Sequence, residues 1–265
     1  MAYLQINHFS AALSKMASLA VIVPEGAGPF RAVYQLHGLS DDHTAWQRRT
    51  SIERYADRYG IIVAMPDGAR SFYANAPDSP DRYEDHILET VALVDRMFRT
   101  IDGPHARGIG GLSMGGYGAM KLGLKHPRVF GSIAAHSACM DMRAYHRDRA
   151  FPDLAHFFGP TFPKSEDVFA LATASRRSRS ARPRIRIDCG IADFLIDHNR
   201  RMHRHLDRLG IAHEYQEFPG EHNWEYWDQH IDQALRFHVT SFAQATSASR
   251  RAVRARRASP RAAKR

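Results

Sequence analysis

The sequence predicts an α/β protein built on one mostly parallel sheet with helices packed on both of its faces. Short apolar runs rich in β-branched residues alternate along the chain with longer amphipathic segments, the order typical of such a sheet. Several of these runs are apolar at nearly every position, as expected of strands that are buried on both faces. A chain of 265 residues without an internal repeat suits a single large domain.

The first predicted strands follow each other without an intervening helix, so we expect the sheet to begin with an antiparallel pair. Helical segments separate the later strands, which favours parallel pairing. Helices are predicted where apolar residues recur at spacings of three and four. The predicted strands are 19–23, 32–37, 61–65, 107–112, 132–135, 185–189 and 213–218, and the helices are marked by Ile87, Val91, Val94 and Phe98, by Met202, Leu206 and Leu209, and by Trp224, Trp227, Ile231, Leu235, Val239 and Phe242.

The net charge of +9 is concentrated at the carboxyl end. Residues 246–265 hold eight of the 37 basic residues and no acidic one, which leaves 29 basic residues against 28 acidic ones elsewhere. With Val253 as its one β-branched apolar residue, this segment cannot bury enough surface to offset its ordering entropy. We therefore expect a folded domain over 1–245 and a basic disordered tail over 246–265. A second arginine cluster, at 176–186, is predicted to form an exposed loop.

No apolar run approaches the ~20 residues of a membrane-spanning helix. The amino-terminal residues lack the charged start and long apolar core of a secretory signal. Cys139 and Cys189 cannot build a disulfide framework. We therefore expect a reduced, cytoplasmic protein without a membrane span, in an oligomeric state that the sequence leaves open.

Residues 107–120 read RGIGGLSMGGYGAM, an apolar strand that leads through GLSMG into a helix. A G-x-S-x-G motif in that context places its serine on a tight, strained turn, where the two glycines remove side chains that would clash. Ser113 is therefore the predicted nucleophile. The Met114 N–H lies at the start of the helix, where positive dipole density favours an oxyanion, so it is a predicted oxyanion-hole donor.

A serine nucleophile needs a base that is itself oriented by an acid, and after a motif of this kind the acid precedes the histidine in the chain. His222 follows the last predicted strand in a loop before the final helix, which makes it the predicted base among 16 histidines. Asp193 follows the preceding strand and is the predicted acid. The alternatives are Asp188, placed within that strand, and Asp197, placed in the next helix.

A second oxyanion donor is expected in the loop after an early strand. In AVYQLHGLSDDHTAW the strand ends at His37 and Gly38, and the backbone N–H of Leu39 is the candidate donor. The side chain of Leu39 has no part in this role. We interpret His37 as a structural histidine at the strand end rather than as a catalytic one.

With these residues in place, the chain resembles the esterase D/S-formylglutathione hydrolase group of the α/β-hydrolases, and especially the bacterial tributyrin-type esterases. The resemblance spans about residues 33–228 and implies the α/β-hydrolase fold, with the triad and oxyanion donors named above. It also places SFYANA at the mouth of the pocket, which makes Tyr73 a predicted substrate contact. The matching stretches are YQLHGLSDDHTAW, MPDGARSFYANA, YEDHILETVALVDRMF, GIGGLSMGGYGAMKLGLKHP, IDCGIADFL and GEHNWEYW.

Three tryptophans, Trp46, Trp224 and Trp227, are candidates to line an acyl pocket, although the helical spacing of the last two favours the core. His203 and His205 are two residues apart on a predicted helix, so they face different sides and are poor metal ligands. The sequence has no zinc-type Cys/His spacing, phosphate-binding loop or dinucleotide fingerprint. We therefore expect no metal and no cofactor.

These observations predict a serine carboxylic-ester hydrolase that acts on short acyl esters through an acyl-enzyme. The same chemistry would serve a thioester such as S-formylglutathione or acyl transfer to an alcohol, and both stay open as alternatives. A hypothesis of another class is a nucleic-acid or anionic-surface binder, suggested by the basic tail and the arginine cluster at 176–186. The expected partner is a small ester or thioester, with weak polyanion binding by the tail.

Overall fold

A computed structural model describes residues 1–176 and 182–258, and it describes the side chains of the last helix as far as Ser247. The described residues form a single sheet with helices on both faces. Its strands are β1 (Ala2–Ser10), β2 (Lys15–Val23), β3 (Arg31–Leu36), β4 (Ile61–Pro66), β5 (Arg107–Leu112), β6 (Ser132–His136), β7 (Arg184–Gly190) and β8 (Glu214–Phe218).

The strands are arranged in the order β1-β2-β4-β3-β5-β6-β7-β8. Strand β2 pairs antiparallel with both β1 and β4, whereas the strands β3 to β8 all run parallel to one another. The predicted parallel sheet with an antiparallel start is confirmed, but the antiparallel partners of β2 are β1 and β4 and not β3, the next predicted strand. Strand β1 was not predicted, because at the sheet edge most of its residues are exposed or half-buried and form no continuous apolar run.

Helices cover both faces of the sheet. Helices α2 and α9 pack on one face, and helices α3, α4, α7 and α8 pack on the other. None of the described helices is both long and apolar enough to cross a membrane. The α-helices are α1 (Ala45–Arg49), α2 (Ile52–Tyr59), α3 (Tyr83–Met97), α4 (Met114–Lys125), α5 (Met142–Arg147), α6 (Asp153–Phe158), α7 (Val168–Ser175), α8 (Ile196–Leu209) and α9 (Trp224–Ala258).

Each face of the sheet has its own hydrophobic core, because successive side chains of a strand point to opposite faces. On β3, Tyr34 packs in the core on the α4 side, where its ring meets Phe130 edge to face with centroids 6.0 Å apart. The preceding residue, Val33, points to the opposite face and belongs to the core under α9 together with Ile231. Strands buried on both sides therefore read as the continuous apolar runs that the sequence shows.

A buried network of charged side chains holds α4 against its neighbours. The fully buried Lys121 Nζ donates to Glu166 Oε2 at 2.7 Å. The Lys125 Nζ donates to Glu84 Oε2 at 2.6 Å and to Glu166 Oε1 at 3.0 Å. Burial alone would raise the pKa of Glu84, but the hydrogen bond from His126 and the charges of the two lysines outweigh it and lower that pKa to about 2.

The final helix differs from the sequence expectation at its carboxyl end. Helix α9 continues to Ala258, whereas the sequence predicts disorder from residue 246. Alanine and arginine, which dominate 250–258, are strong helix formers, and extending an existing helix avoids the cost of nucleation. A helical backbone over 246–258 therefore needs no buried apolar face. Residues 259–265 lie outside the described residues, and the domain boundary at residue 245 stays a prediction.

The arginine cluster at 176–186 is described only in part, since residues 177–181 lie outside the described residues. Arg184 and Arg186 belong to β7, so the predicted exposed loop is wrong for these two arginines. Arg186 is buried, and its guanidinium lies 3.3 Å from the carboxylate of Asp188 on the same strand. A paired arginine can occupy a central strand, which the charge pattern alone does not reveal.

Candidate active site

Ser113 lies where β5 ends and α4 begins. Its φ of 54° and ψ of −115° belong to a region that non-glycine residues rarely adopt. The Ser113 N–H donates to the carbonyl of His136 at 3.0 Å, and its own carbonyl accepts from the Tyr117 N–H at 3.1 Å. Backbone hydrogen bonds on both sides thus hold the strained turn in place.

Two glycines make this turn possible. A Cβ added to Gly111 would lie 2.5 Å from the backbone of Gly115, and a Cβ added to Gly115 would lie 2.5 Å from the carbonyl oxygen of Leu36. The obstructing atoms are backbone, so relief would require a shift of β3 or of the turn itself. The glycines of the G-x-S-x-G motif are therefore needed for close packing of the turn against the sheet.

The structure brings Ser113, His222 and Asp193 together at the carboxyl edge of the sheet. His222 Nε2 lies 3.0 Å from Ser113 Oγ, and His222 Nδ1 lies 2.8 Å from Asp193 Oδ2. When Nδ1–H donates to the carboxylate, Nε2 is free to accept the proton of the serine hydroxyl. Asp193 Oδ1 also accepts the backbone N–H of Leu195 at 2.7 Å, which fixes the carboxylate.

The side chain of Asp193 is fully buried beside a partly exposed His222. Burial alone would raise the pKa of the Asp193 carboxyl. The hydrogen bond and charge of His222, together with the N–H of Leu195, outweigh burial and bring this pKa below its ordinary value. The carboxylate is therefore ionised at neutral pH and can stabilise a protonated imidazole.

The two alternative aspartates have partners elsewhere. Asp188 is buried in β7, where its Oδ1 accepts from His136 Nδ1 at 2.8 Å and from the Tyr226 hydroxyl at 3.0 Å. The side chain of Asp197 is 83% exposed on α8 and forms a 3.8 Å ion pair with Arg200. Of the three aspartates, Asp193 is the one that contacts His222.

Ser113 and His222 open into a cleft of about 450 Å³, which Leu39 and Met114 also line. Among the described residues, the backbone N–H groups of Leu39 and Met114 donate to no protein acceptor, so both remain available to a ligand oxygen. The Gly38 N–H donates to Asp41 Oδ2 at 3.2 Å, which holds the loop that carries Leu39.

Aromatic side chains form much of the wall of the cleft. Trp224 and Trp227 lie in this wall and also pack against the core under α9, so both of the roles weighed for them are present. Phe194 directly follows the acid; it is 70% exposed, and its ring centroid lies 4.5 Å from that of His222. Phe72 lies in the SFYANA stretch expected at the mouth of the pocket, whereas the aromatic wall residues Tyr145, Phe151 and Phe194 were not predicted from the sequence. Of these residues, only Phe194 had a signal in the sequence, because it directly follows the predicted acid Asp193.

Trp46 and Tyr73 do not line the cleft, so the predicted substrate contacts of these two residues are wrong. Trp46 is buried, and its Nε1–H donates to the carbonyl of Leu36 at 2.9 Å. Tyr73 is fully buried, and its hydroxyl donates to the carbonyl of His37 at 3.0 Å. His37 itself accepts the Gly68 N–H at Nε2, a structural contact at 2.8 Å. The rings of Tyr73 and Trp46 are buried on opposite faces of the sheet near the end of β3 instead of lining the cleft.

Histidines on α8 face different sides, as the sequence predicts. His205 Nε2–H donates to the carbonyl of Phe169 at 2.9 Å, whereas His203 turns toward His213 just before β8. Among the described residues, the one group of side chains placed to share a metal ion is His203, Asp207 and His213. None of the three lines the cleft.

Comparison with known proteins gives a consistent result. The family model "Esterase: Putative esterase" matches residues 10–238. An acetyl esterase of Caldicellulosiruptor saccharolyticus is 29% identical over an alignment of 265 positions, which covers 89% of this chain and 98% of the relative. The residues matched by the family model include Ser113, Asp193 and His222.

Solved structures of similar chains include two from Staphylococcus aureus. The fluorophosphonate-binding serine hydrolase F, FphF, aligns with a TM-score of 0.85 and 30% identity over 90% of this chain and 98% of its own. The S-formylglutathione hydrolase FrmB aligns with a TM-score of 0.80 and 30% identity over the same shares. The likeness confirms the predicted α/β-hydrolase fold.

Proposed function

The chain belongs to the esterase family and is a serine hydrolase, and within that class we propose that it cleaves short-acyl carboxylic esters through an acyl-enzyme on Ser113. The observation that carries this proposal is the pair of contacts at His222, 3.0 Å to Ser113 Oγ and 2.8 Å to Asp193 Oδ2. A hydroxyl, an imidazole and a buried carboxylate that contact one another in this order act as a nucleophile, a base and an orienting acid.

In the first half of the reaction, Ser113 Oγ attacks the ester carbonyl while its proton passes to His222 Nε2. The carbonyl oxygen becomes an oxyanion that accepts hydrogen bonds from the Leu39 and Met114 N–H groups. Asp193 stabilises the imidazolium. His222 then gives its proton to the departing alkoxide, which leaves as an alcohol, and the acyl group stays on Ser113.

In the second half, water takes the place of the alcohol. His222 Nε2 removes a proton from the water while its oxygen attacks the acyl carbon, and the same two N–H groups bind the second oxyanion. Collapse of this intermediate breaks the bond to Ser113 Oγ, which recovers its proton from His222. The acid is released and the starting state is restored.

Two observations support a short carboxylic ester as the substrate. The cleft holds about 450 Å³ between aromatic walls, a space suited to a small acyl group and its alcohol. The full-length relative from Caldicellulosiruptor saccharolyticus is an acetyl esterase. The thioester alternative rests on the S-formylglutathione hydrolase of Staphylococcus aureus, which is equally similar in identity.

The test is a substrate panel of p-nitrophenyl acetate, butyrate and octanoate together with S-formylglutathione, with the Ser113→Ala chain as the control. We expect kcat/KM to be highest for acetate or butyrate and to vanish in the variant. If kcat/KM for S-formylglutathione were more than tenfold above that for the short esters, the thioester would be the substrate and the proposal of a carboxylic ester would be wrong. Turnover that survives in the variant would exclude the proposed nucleophile.

A further inference from the structure

A group of three side chains lies at the end of α8 that is distant from the cleft. Helix α8 starts three residues after Asp193 and runs for 14 residues, or about 20 Å, away from it. His203 and Asp207 are one helical turn apart near its carboxyl end, and His213 comes directly before β8, the edge strand. The ligand atoms of these three residues all lie within 4.8 Å of one another.

The hydrogen bond of His213 Nδ1 leaves Nε2 as an acceptor that faces the group, within hydrogen-bond distance of His203. Its Nδ1–H donates to the carbonyl of Ile211 at 2.8 Å, so Nε2 carries the lone pair. Nε2 lies 2.8 Å from His203 Nδ1 and 4.0 Å from Asp207 Oδ1. A histidine held by a backbone carbonyl through its other nitrogen is the usual arrangement of a metal-binding histidine.

His203 is held as firmly. Its ring stacks on Tyr215 with centroids 4.3 Å apart and an angle of 8° between the planes. Its Nε2 lies 3.4 Å from Asp207 Oδ2, which sets this carboxylate beside the ring, and its Nδ1 faces His213 and can bind a metal. The other oxygen, Asp207 Oδ1, is then the third ligand atom.

The spacing of these atoms suits a small tetrahedral cation. Bonds of about 2.0–2.2 Å separate neighbouring ligand atoms of zinc by roughly 3.3 Å, which lies between the 2.8 Å and 4.0 Å measured at His213 Nε2. The side chain of Asp207 is 59% exposed and that of His213 is 3% exposed, so an ion can enter from solvent onto an ordered ligand. Water would complete the fourth position.

Arg200 and Arg208 of α8 have partners outside the group. Arg200 forms a two-pronged pair with Glu217, with contacts of 2.9 and 2.7 Å. Arg208 is directed to His205, on the other side of the helix. The group is thus two imidazoles and one carboxylate, a donor set that binds zinc and related borderline cations better than calcium or magnesium.

We propose that His203, Asp207 and His213 form a surface site for a divalent transition ion of the zinc type. The ion would join the carboxyl end of α8 to the residue that begins the edge strand β8. Since β8 leads into the loop of His222, the bound ion stabilises the support of this loop and takes no part in ester cleavage. This site is independent of the proposed substrate.

The test uses the full, untagged chain after removal of metal with a chelator, because an affinity tag of histidines would bind zinc. Zinc is titrated in competition with a chromophoric chelator, and Tm is measured with and without one equivalent of zinc. The variants are His213→Gln and Asp207→Asn. The control is His205→Gln, on the same helix but outside the group. Far-UV circular dichroism checks that each variant is folded.

We expect the wild-type chain and His205→Gln to bind one zinc ion tightly and to gain Tm on binding. Both variants within the group should bind at least about tenfold more weakly and lose the gain in Tm. Because Asp207 is exposed, Asp207→Asn reports on the site even if His213→Gln does not fold. Wild-type binding weaker than about 100 μM, or equal binding by Asp207→Asn and the wild type, would overturn the proposal.

Discussion

His222 Nε2 lies 3.0 Å from Ser113 Oγ although the two residues are 109 positions apart in the chain. The turn of Ser113 follows β5, and the loop of His222 follows β8, with β6 and β7 between these strands in the sheet. Since β5 to β8 are parallel, their carboxyl ends meet at one edge. The loop after β7 adds Asp193 at the same edge.

The contact between Ser113 and His222 predicts that the two residues act as one unit. Ser113→Ala and His222→Ala should each lower kcat on a short p-nitrophenyl ester by roughly 10⁴–10⁶-fold, and the double variant should be no slower than the worse single one. Steady-state turnover of the three variants, purified free of other esterases, measures this. Losses that multiply, or near-normal turnover of Ser113→Ala, would contradict a shared mechanism.

The assignment of the acid predicts a difference between two aspartates four residues apart. Asp193→Asn should fold but lose about 10⁴-fold in kcat, because the amide favours the wrong tautomer of His222. Asp197→Asn is the matched control and should keep nearly all activity, since its side chain is exposed and paired with Arg200. If the Asp197 variant were the inactive one, the acid would be misassigned.

The close packing at the nucleophile turn predicts a stability defect. Gly115→Ala places a Cβ 2.5 Å from the Leu36 carbonyl, so it should cost about 1–3 kcal/mol in the free energy of unfolding and displace the Met114 N–H, with loss of turnover. Urea unfolding and ester hydrolysis measure both effects.

The control for this prediction is Gly60→Ala, which meets no atom within 4 Å but has a φ of +61°. It should cost about 1 kcal/mol and leave turnover unchanged. A Gly115→Ala chain as stable and active as the wild type would show that the turn can relax.

The buried network at α4 predicts a loss of stability in acid. The pKa of Glu84 is about 2 in the folded chain, below its ordinary value of 4.5, so between these pH values the unfolded chain binds a proton that the folded chain does not. The stabilisation is complete above pH 4.5 and declines as the pH falls toward 2. By pH 3 the loss from this group is roughly 2 kcal/mol.

Urea unfolding at pH 6.5, 5, 4 and 3 measures this decline. Glu84→Gln lowers stability at neutral pH and should reduce the acid-dependent part of the decline by about 2 kcal/mol. The control Glu25→Gln changes a side chain that is 85% exposed, so its curve should follow the wild type. Parallel curves for Glu84→Gln and the wild type would mean that Glu84 is not the group that titrates.

The predicted boundary at residue 245 implies that catalysis does not need the basic segment beyond it. A chain ending at Ala245 keeps the core residue Phe242, so it should fold and hydrolyse esters at the wild-type rate. Retention of duplex DNA by the full chain should fall with salt, with a log–log slope of about −0.9 per phosphate neutralised, and should weaken on truncation.

Two results would change this view of the carboxyl end. A truncated chain that folds but has lost turnover would place the basic segment in the active site. DNA retention equal in both chains would remove the main support for polyanion binding.

Patterns within short stretches were enough to predict the sheet, most of its strands and the nucleophile turn. Each rests on neighbouring residues: apolar runs for buried strands, and glycines around Ser113 for a turn that tolerates no Cβ. The positions of Asp193 and His222 also followed from local order, because each comes directly after a parallel strand. Strand β1 was missed because an edge strand lacks the continuous apolar run.

Packing between distant segments decided the rest. Tyr73 and Trp46 were predicted to contact substrate, yet their rings are buried in the two cores on opposite faces of the sheet. Tyr145 and Phe151 instead reach the cleft from the segment between β6 and β7. The meeting of His203 with His213 likewise depends on how α8 returns to the sheet edge. A backbone turn is determined by residues that are close in the chain. Whether a side chain lines the cleft or is buried in the core depends on all the elements that pack around it.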